Sequence, residues 1–126
     1  MALCKTEIFG ANPANIHWNI VRGDTAQLDI EFFESDEETS YDISSWIFTS
    51  SVYNAKDGFA DELDVTVNNG SITITAESDL TRRWGTGPGS RVAELSFDLE
   101  INIGNRVWTP IIGTISVIGD VTGGLV

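Results

Sequence analysis

Between residues 93 and 103 every second side chain is apolar: Ala93, Leu95, Phe97, Leu99, Ile101 and Ile103 alternate with Glu94, Ser96, Asp98, Glu100 and Asn102. An extended strand points successive side chains to opposite faces, so this row makes one face apolar and the other wet. A helix would spread the same residues around its whole circumference. The pattern therefore demands a sheet with one buried side.

The same period recurs along the chain, with turn residues between the runs. Ile16, Trp18 and Ile20 share a face of a strand over 16–21, and Gly23-Asp24 turns the chain. Leu28, Ile30 and Phe32 alternate with Gln27, Asp29 and Glu31. Residues 46–53 are rich in aromatic and β-branched side chains and read as a third strand. Leu63, Val65 and Val67 mark a fourth and Ile72 and Ile74 a fifth, joined by Asn68-Asn69-Gly70, residues that tolerate the positive φ of a hairpin turn. After the strand over 93–103, Gly104-Asn105 leads into 106–109, and 111–118 finishes the sheet, with Pro110 breaking or bending the chain between them. The one helix candidate is 78–84, which Ser78 can cap and the Gly85 and Gly87-Pro88-Gly89 stretch stops.

Seven or eight short strands and one helical turn near 78–84 predict an all-β fold. The expected architecture is an antiparallel two-sheet β-sandwich, immunoglobulin-like or jelly-roll-like. Its 126 residues fit one domain, with an N-terminal arm over about 1–15 and a C-terminal tail over about 119–126. An apolar share of 41% and a charged share of 21% argue for a packed domain over a disordered chain.

Charge narrows the partners. Nineteen acidic residues against seven basic ones give a net charge of −12, and the basic residues are scattered, with only Arg82-Arg83 adjacent. Nucleic-acid binding is driven by Lys and Arg displacing counterions, so nucleic acid and anionic membranes are excluded as expected partners. The run Glu34-Ser35-Asp36-Glu37-Glu38 reads as a solvated loop, lacking the spaced ligands and central Gly of a calcium loop. The N-terminus has neither the basic stretch nor the apolar core of a signal peptide, and no apolar run approaches a membrane span. Synthesis in the cytoplasm is the expectation.

Catalysis finds little support. His17 is the only histidine and Cys4 the only cysteine, so a nucleophile–base arrangement rests on His17 alone. It lies on the face opposite Ile16 and Trp18, as a surface or edge-strand histidine would. One histidine and one cysteine cannot build a structural zinc site. Glu94, Asp98 and Glu100 share a strand face, which alternation explains as the solvent side; a glycosidase would need two acids facing across a cleft. Arg22-Gly23-Asp24 spells the tripeptide read by integrins, but it falls where a turn calls for Gly and Asp anyway. Gly85 to Gly89 lacks the Lys-Ser/Thr ending of a phosphate loop. No catalytic residue, metal or cofactor is expected.

Of four tryptophans, Trp18, Trp46 and Trp108 lie in strands and are expected in the core. Trp84 follows two arginines and precedes glycines, so it reads either as an exposed anchor for a partner or as a cap on the open end of the sandwich. The candidate interface is Trp84, Arg82 and Arg83, with Cys4, Phe9 and Asn12 of the N-terminal arm.

The order of these pieces resembles a known family. Gly23-Asp24-Thr25 precedes the alternating 27–32 stretch, and an acidic loop precedes Tyr41-Asp42-Ile43-Ser44-Ser45-Trp46. Asp57-Gly58, a hairpin, a helical turn over 79–83 and a long alternating strand follow, before Thr109 and Gly113-Thr114-Ile115-Ser116-Val117. Over about 16–121 this is similar to the small β-sandwich domain at the N-terminus of phage upper-baseplate proteins and in small virion proteins of tailed phages. The resemblance implies a non-enzymatic structural protein of the virion, a tail or baseplate adaptor that docks on other virion proteins and on copies of itself. The chain lacks the long C-terminal extension of those baseplate proteins, which leaves room for a capsid decoration protein. From another class, a carbohydrate-binding module would use Trp84 to stack on a sugar.

Overall fold

The computed structural model describes residues 2–4, 13–33, 42–54, 59–84 and 91–119. Within them run β1 (Ala2–Cys4), β2 (Ala14–Val21), β3 (Ala26–Phe33), β4 (Ile47–Asn54), β5 (Phe59–Asn68) and β6 (Ser71–Ala76). A single helical turn, α1 (Ser78–Thr81), precedes β7 (Arg91–Ile103) and β8 (Arg106–Ile118). Each alternating stretch of the sequence forms a strand. The segments 106–109 and 111–118 merge into one strand, β8, because Thr109 and Pro110 are absorbed where the β7–β8 register shifts between Leu99 and Ile101. A bulge of this kind takes a proline without ending the strand.

The expected antiparallel two-sheet sandwich gives way to one mixed sheet, nearly closed like a barrel, in the order β1-β3-β6-β5-β4-β7-β8-β2. Two of its pairings are parallel: β2 on β8, from Ala14 opposite Ile111 to Val21 opposite Ile118, and β1 on β3. Side-chain alternation reports which face is buried and carries nothing about the direction of the neighbouring strand. Closure has a similar origin. β5 pairs with β4 through Leu63 and with β6 from Asp64 onward, so one strand serves both halves of the sheet. Ala2–Cys4, part of the expected arm, pairs with β3, and β2 starts at Ala14.

The turn between β2 and β3 draws the sheet's two ends together. Arg22 N donates to Ile118 O at 2.7 Å, and Asp24 N to Val21 O at 3.0 Å. Gly23 takes a φ of 91°, a conformation only glycine adopts without strain. Thr81 of α1 locks this turn: its Oγ1 accepts from Gly23 N at 3.0 Å and donates to Asp24 O at 2.8 Å.

The inward side chains fill the interior. Ile30, Ile72, Ile74, Leu99, Ile101, Ile111 and Ile115 are fully buried. Aromatic rings join the two sides of the curled sheet: Trp46 meets Phe32 edge-on at 5.5 Å and Trp108 edge-on at 6.3 Å between centroids. Trp18 packs edge-on against Phe97 at 5.8 Å. These offset geometries suit the ring quadrupoles.

Candidate functional site

The outward side chains of β2, β4, β5, β7 and β8 carry an open concavity. Strand register sets them in rows. Ala60, Tyr53, Ser96, Thr114 and His17 face one another across five strands, and Glu62, Ser51, Asp98, Ile112 and Asn15 form the next row. Short side chains at Ala60, Ser51 and Ser96 leave space beside the half-exposed Tyr53 ring. The hollow holds about 440 Å³, with Asn15, Asp98, Ile112 and Thr114 among its walls.

Among the described residues Asp98 is the only carboxylate lining it. Partial burial pushes its carboxyl above the usual carboxylate range, the Glu100 charge two residues on adds to the push, and a hydrogen bond from the Ser51 amide opposes both. Beneath the hollow, Gly113 sits where a Cβ would lie 2.1 Å from Ile16 O and 2.6 Å from the Phe97 ring. The glycine lets β2 and the Phe97 ring close on β8.

His17 is exposed on β2, the last strand in the sheet order, as the sequence suggests. Its Nε2 lies 3.0 Å from Ser116 Oγ and 3.1 Å from Asn19 Oδ1. Both contacts fall on one nitrogen, whereas a catalytic triad sets the serine on one ring nitrogen and the orienting acid on the other. Among the described residues no group of three His, Cys, Asp or Glu side chains is placed to hold a metal ion. No helix among them is long and apolar enough to cross a membrane.

The described candidate interface residues differ in exposure: Trp84 is inside, and Arg82 and Arg83 are in solvent. Trp84 is fully buried and donates from Nε1 to Asp61 Oδ2 at 3.2 Å, so its ring is a packing element with no face to offer a partner or a sugar. Its place after two arginines suggested exposure; the deciding carboxylate lies on another strand. Arg83 is exposed and reaches Asp61 Oδ1 at 3.6 Å, and Arg82 pairs at 3.8 Å with Asp79 in the solvent. Cys4 lies in β1 at the edge beside Phe33. Phe9, Asn12, the acidic run 34–38 and the glycine stretch 85–89 lie outside the described residues. In Arg22-Gly23-Asp24 the arginine is buried and the backbone is tied to β8 and α1, which does not present the tripeptide as a loop.

Thr81, Asp61 and Tyr53 were not singled out in the sequence. Thr81 and Asp61 act through partners 57 and 23 positions away, which no local pattern reveals. Tyr53 is the outward aromatic of β4, and strand parity alone would have set it on the wet face. Ile47 and Val107 were missed as well. They flank Asn102 in one outer row and are 65% and 56% exposed.

No family model matches the chain, and no curated protein does. Among solved structures it is similar to the N-terminal domain of phage TP901-1 ORF48, at 14% identity over 94% of each chain, with a TM-score of 0.43.

Proposed function

We propose that the protein is a non-enzymatic structural component of a tailed-phage virion, an adaptor of the tail or baseplate that docks on other virion proteins. The carrying observation is the outer row Ile47–Asn102–Val107, two widely exposed aliphatic side chains held near the ends of paired strands inside the sheet. Rigid apolar knobs beside a polar group suit an interface whose centre is apolar and whose rim is wet. The family resemblance read from the sequence supports the same role. The net charge of −12 favours a basic partner surface. Many copies on one particle would turn weak contacts into firm attachment.

The test is particle incorporation of Ile47→Asp and Val107→Asp, with electron microscopy of the intact source particle. The adaptor reading expects density for the domain at the tail or baseplate and loss of that density in the folded variants. Density on the capsid lattice would favour a decoration protein instead. A protein absent from the particle altogether would overturn the structural reading.

A further inference from the structure

We propose that the outer-face hollow beside Tyr53 is a binding site for a neutral saccharide. The site is distinct from the Ile47–Val107 row and does not depend on the adaptor role. Its volume, about 440 Å³, falls in the range of small-molecule pockets. Its lining combines one aromatic face with several short polar side chains, all projecting from paired strands. Tyr53 is 49% exposed, leaving its ring available for the C–H face of a sugar.

Charge selects among ligands. Among its described residues the lining holds no lysine or arginine, and Asp98 is its one carboxyl group. The molecule as a whole carries −12, so a phosphate, a sulfate or an acidic sugar meets repulsion that no described lining residue offsets. A metal ion has no second carboxylate among the described lining residues to share. A neutral polyol fits, because each hydroxyl donates and accepts at once. Asp98 accepts a pair of sugar hydroxyls, Asn15 donates and accepts, and Ser51, Ser96 and Thr114 do either. Partial desolvation of Asp98 strengthens the hydrogen bonds its charged form accepts from a ligand. Placement on strands fixes these groups before binding, which limits the entropy lost on association.

The experiment is a two-dimensional amide NMR titration of the full chain with cellohexaose, maltohexaose and chitohexaose separately, repeated on Tyr53→Ala and Asp98→Asn. The expected result is saturable shifts of the Ser51, Tyr53, Ser96 and Thr114 amides with at least one of the three. Tyr53→Ala should weaken that binding roughly tenfold, and Asp98→Asn by a comparable factor, with the rest of the spectrum unchanged. Tyr53→Phe, which keeps the ring, should bind nearly as the parent does and separates stacking from loss of fold. Absence of shifts with all three sugars, shifts confined to another surface, or unchanged affinity in folded Tyr53→Ala would each overturn the proposal.

Discussion

The indole N–H of Trp84 donates to the Asp61 carboxylate at 3.2 Å, fastening the residue that follows the helical turn to the strand that joins the two halves of the sheet. Asp61 also meets Arg83 at 3.6 Å. Trp84→Ala should cost about 3–5 kcal/mol of stability, as truncating a fully buried large ring does. Asp61→Ala leaves the buried N–H without its acceptor and should cost about 1–3 kcal/mol. Arg83→Ala removes only a solvent-exposed ion pair and should cost less than about 1 kcal/mol. Urea denaturation of the three variants checks the order; an Arg83 effect as large as that of Asp61 would show that the salt bridge, and not the indole, holds the turn.

Thr81→Val keeps the side-chain shape and removes the hydroxyl that serves both Gly23 N and Asp24 O. The expected loss is about 1–3 kcal/mol, because two backbone groups in a part-buried turn lose their partner together. Amide hydrogen exchange should speed up first at Gly23. Unchanged protection there would mean that water replaces the hydroxyl freely.

Two glycines should fail for different reasons. At Gly113 the obstacle is space, with Ile16 backbone oxygen 2.1 Å from where a Cβ would stand, so Gly113→Ala should cost about 2 kcal/mol or more and loosen the β2–β8 pair. At Gly104 nothing lies within 4 Å, and the obstacle is a φ of 61°. Gly104→Ala should cost about 1 kcal/mol, and Gly104→Asn, which tolerates that φ, should recover part of it. Equal losses at Gly104 for Ala and Asn would point away from backbone strain.

Two carboxylates should act on stability with opposite signs. Asp98 is raised by burial and by Glu100, so the folded state holds its proton more tightly than the unfolded chain. Its contribution is full in acid and is lost as the pH rises from the ordinary carboxylate range through the folded value. Asp42 is lowered by hydrogen bonds from Ser44, whose amide donates to its Oδ1 at 3.0 Å. Its contribution is present above the ordinary range and is lost as the pH falls through the folded value. Asp98→Asn should therefore gain on the parent protein as pH rises above the ordinary carboxylate range, and Asp42→Asn should lose ground in the lower window, as pH rises into that range from below. Carbon-detected NMR titration of both side chains, with stability measured across acid pH, tests the pair.

How far the sequence could be read follows from what alternation encodes. The buried face of β7 was legible because Leu95, Phe97, Leu99 and Ile101 repeat every second residue, and all four are buried. The place of the helical turn was legible but not its cap: Ser78 is the first helical residue, Glu77 holds the N-cap without a side-chain hydrogen bond, and the helix ends at Thr81, short of the expected 84. The parallel direction of β2 against β8 was not, since Ile16, Trp18 and Ile20 present the same row whichever way the neighbour runs. Closure was hidden for a related reason: no residue type marks Leu63 and Asp64 as the point where β5 changes partners. The two readings left open for Trp84, exposed anchor or cap, could not be separated from its neighbours in sequence, because the acceptor that draws it inward lies on another strand. The Tyr53 hollow needs five strands in register, a property of the assembled sheet and of no single segment.

The parallel seam between β2 and β8 also orders events during synthesis. The ribosome makes Ile16, Trp18 and Ile20 early, and the only strand hydrogen-bonded to them is the last one in the described chain. Until β8 emerges, those side chains must wait on loose contacts or a chaperone, and such late, long-range pairing slows folding. A nascent chain that carries β2 without β8 thus leaves this seam open to aggregation until Arg106–Ile118 has cleared the exit tunnel.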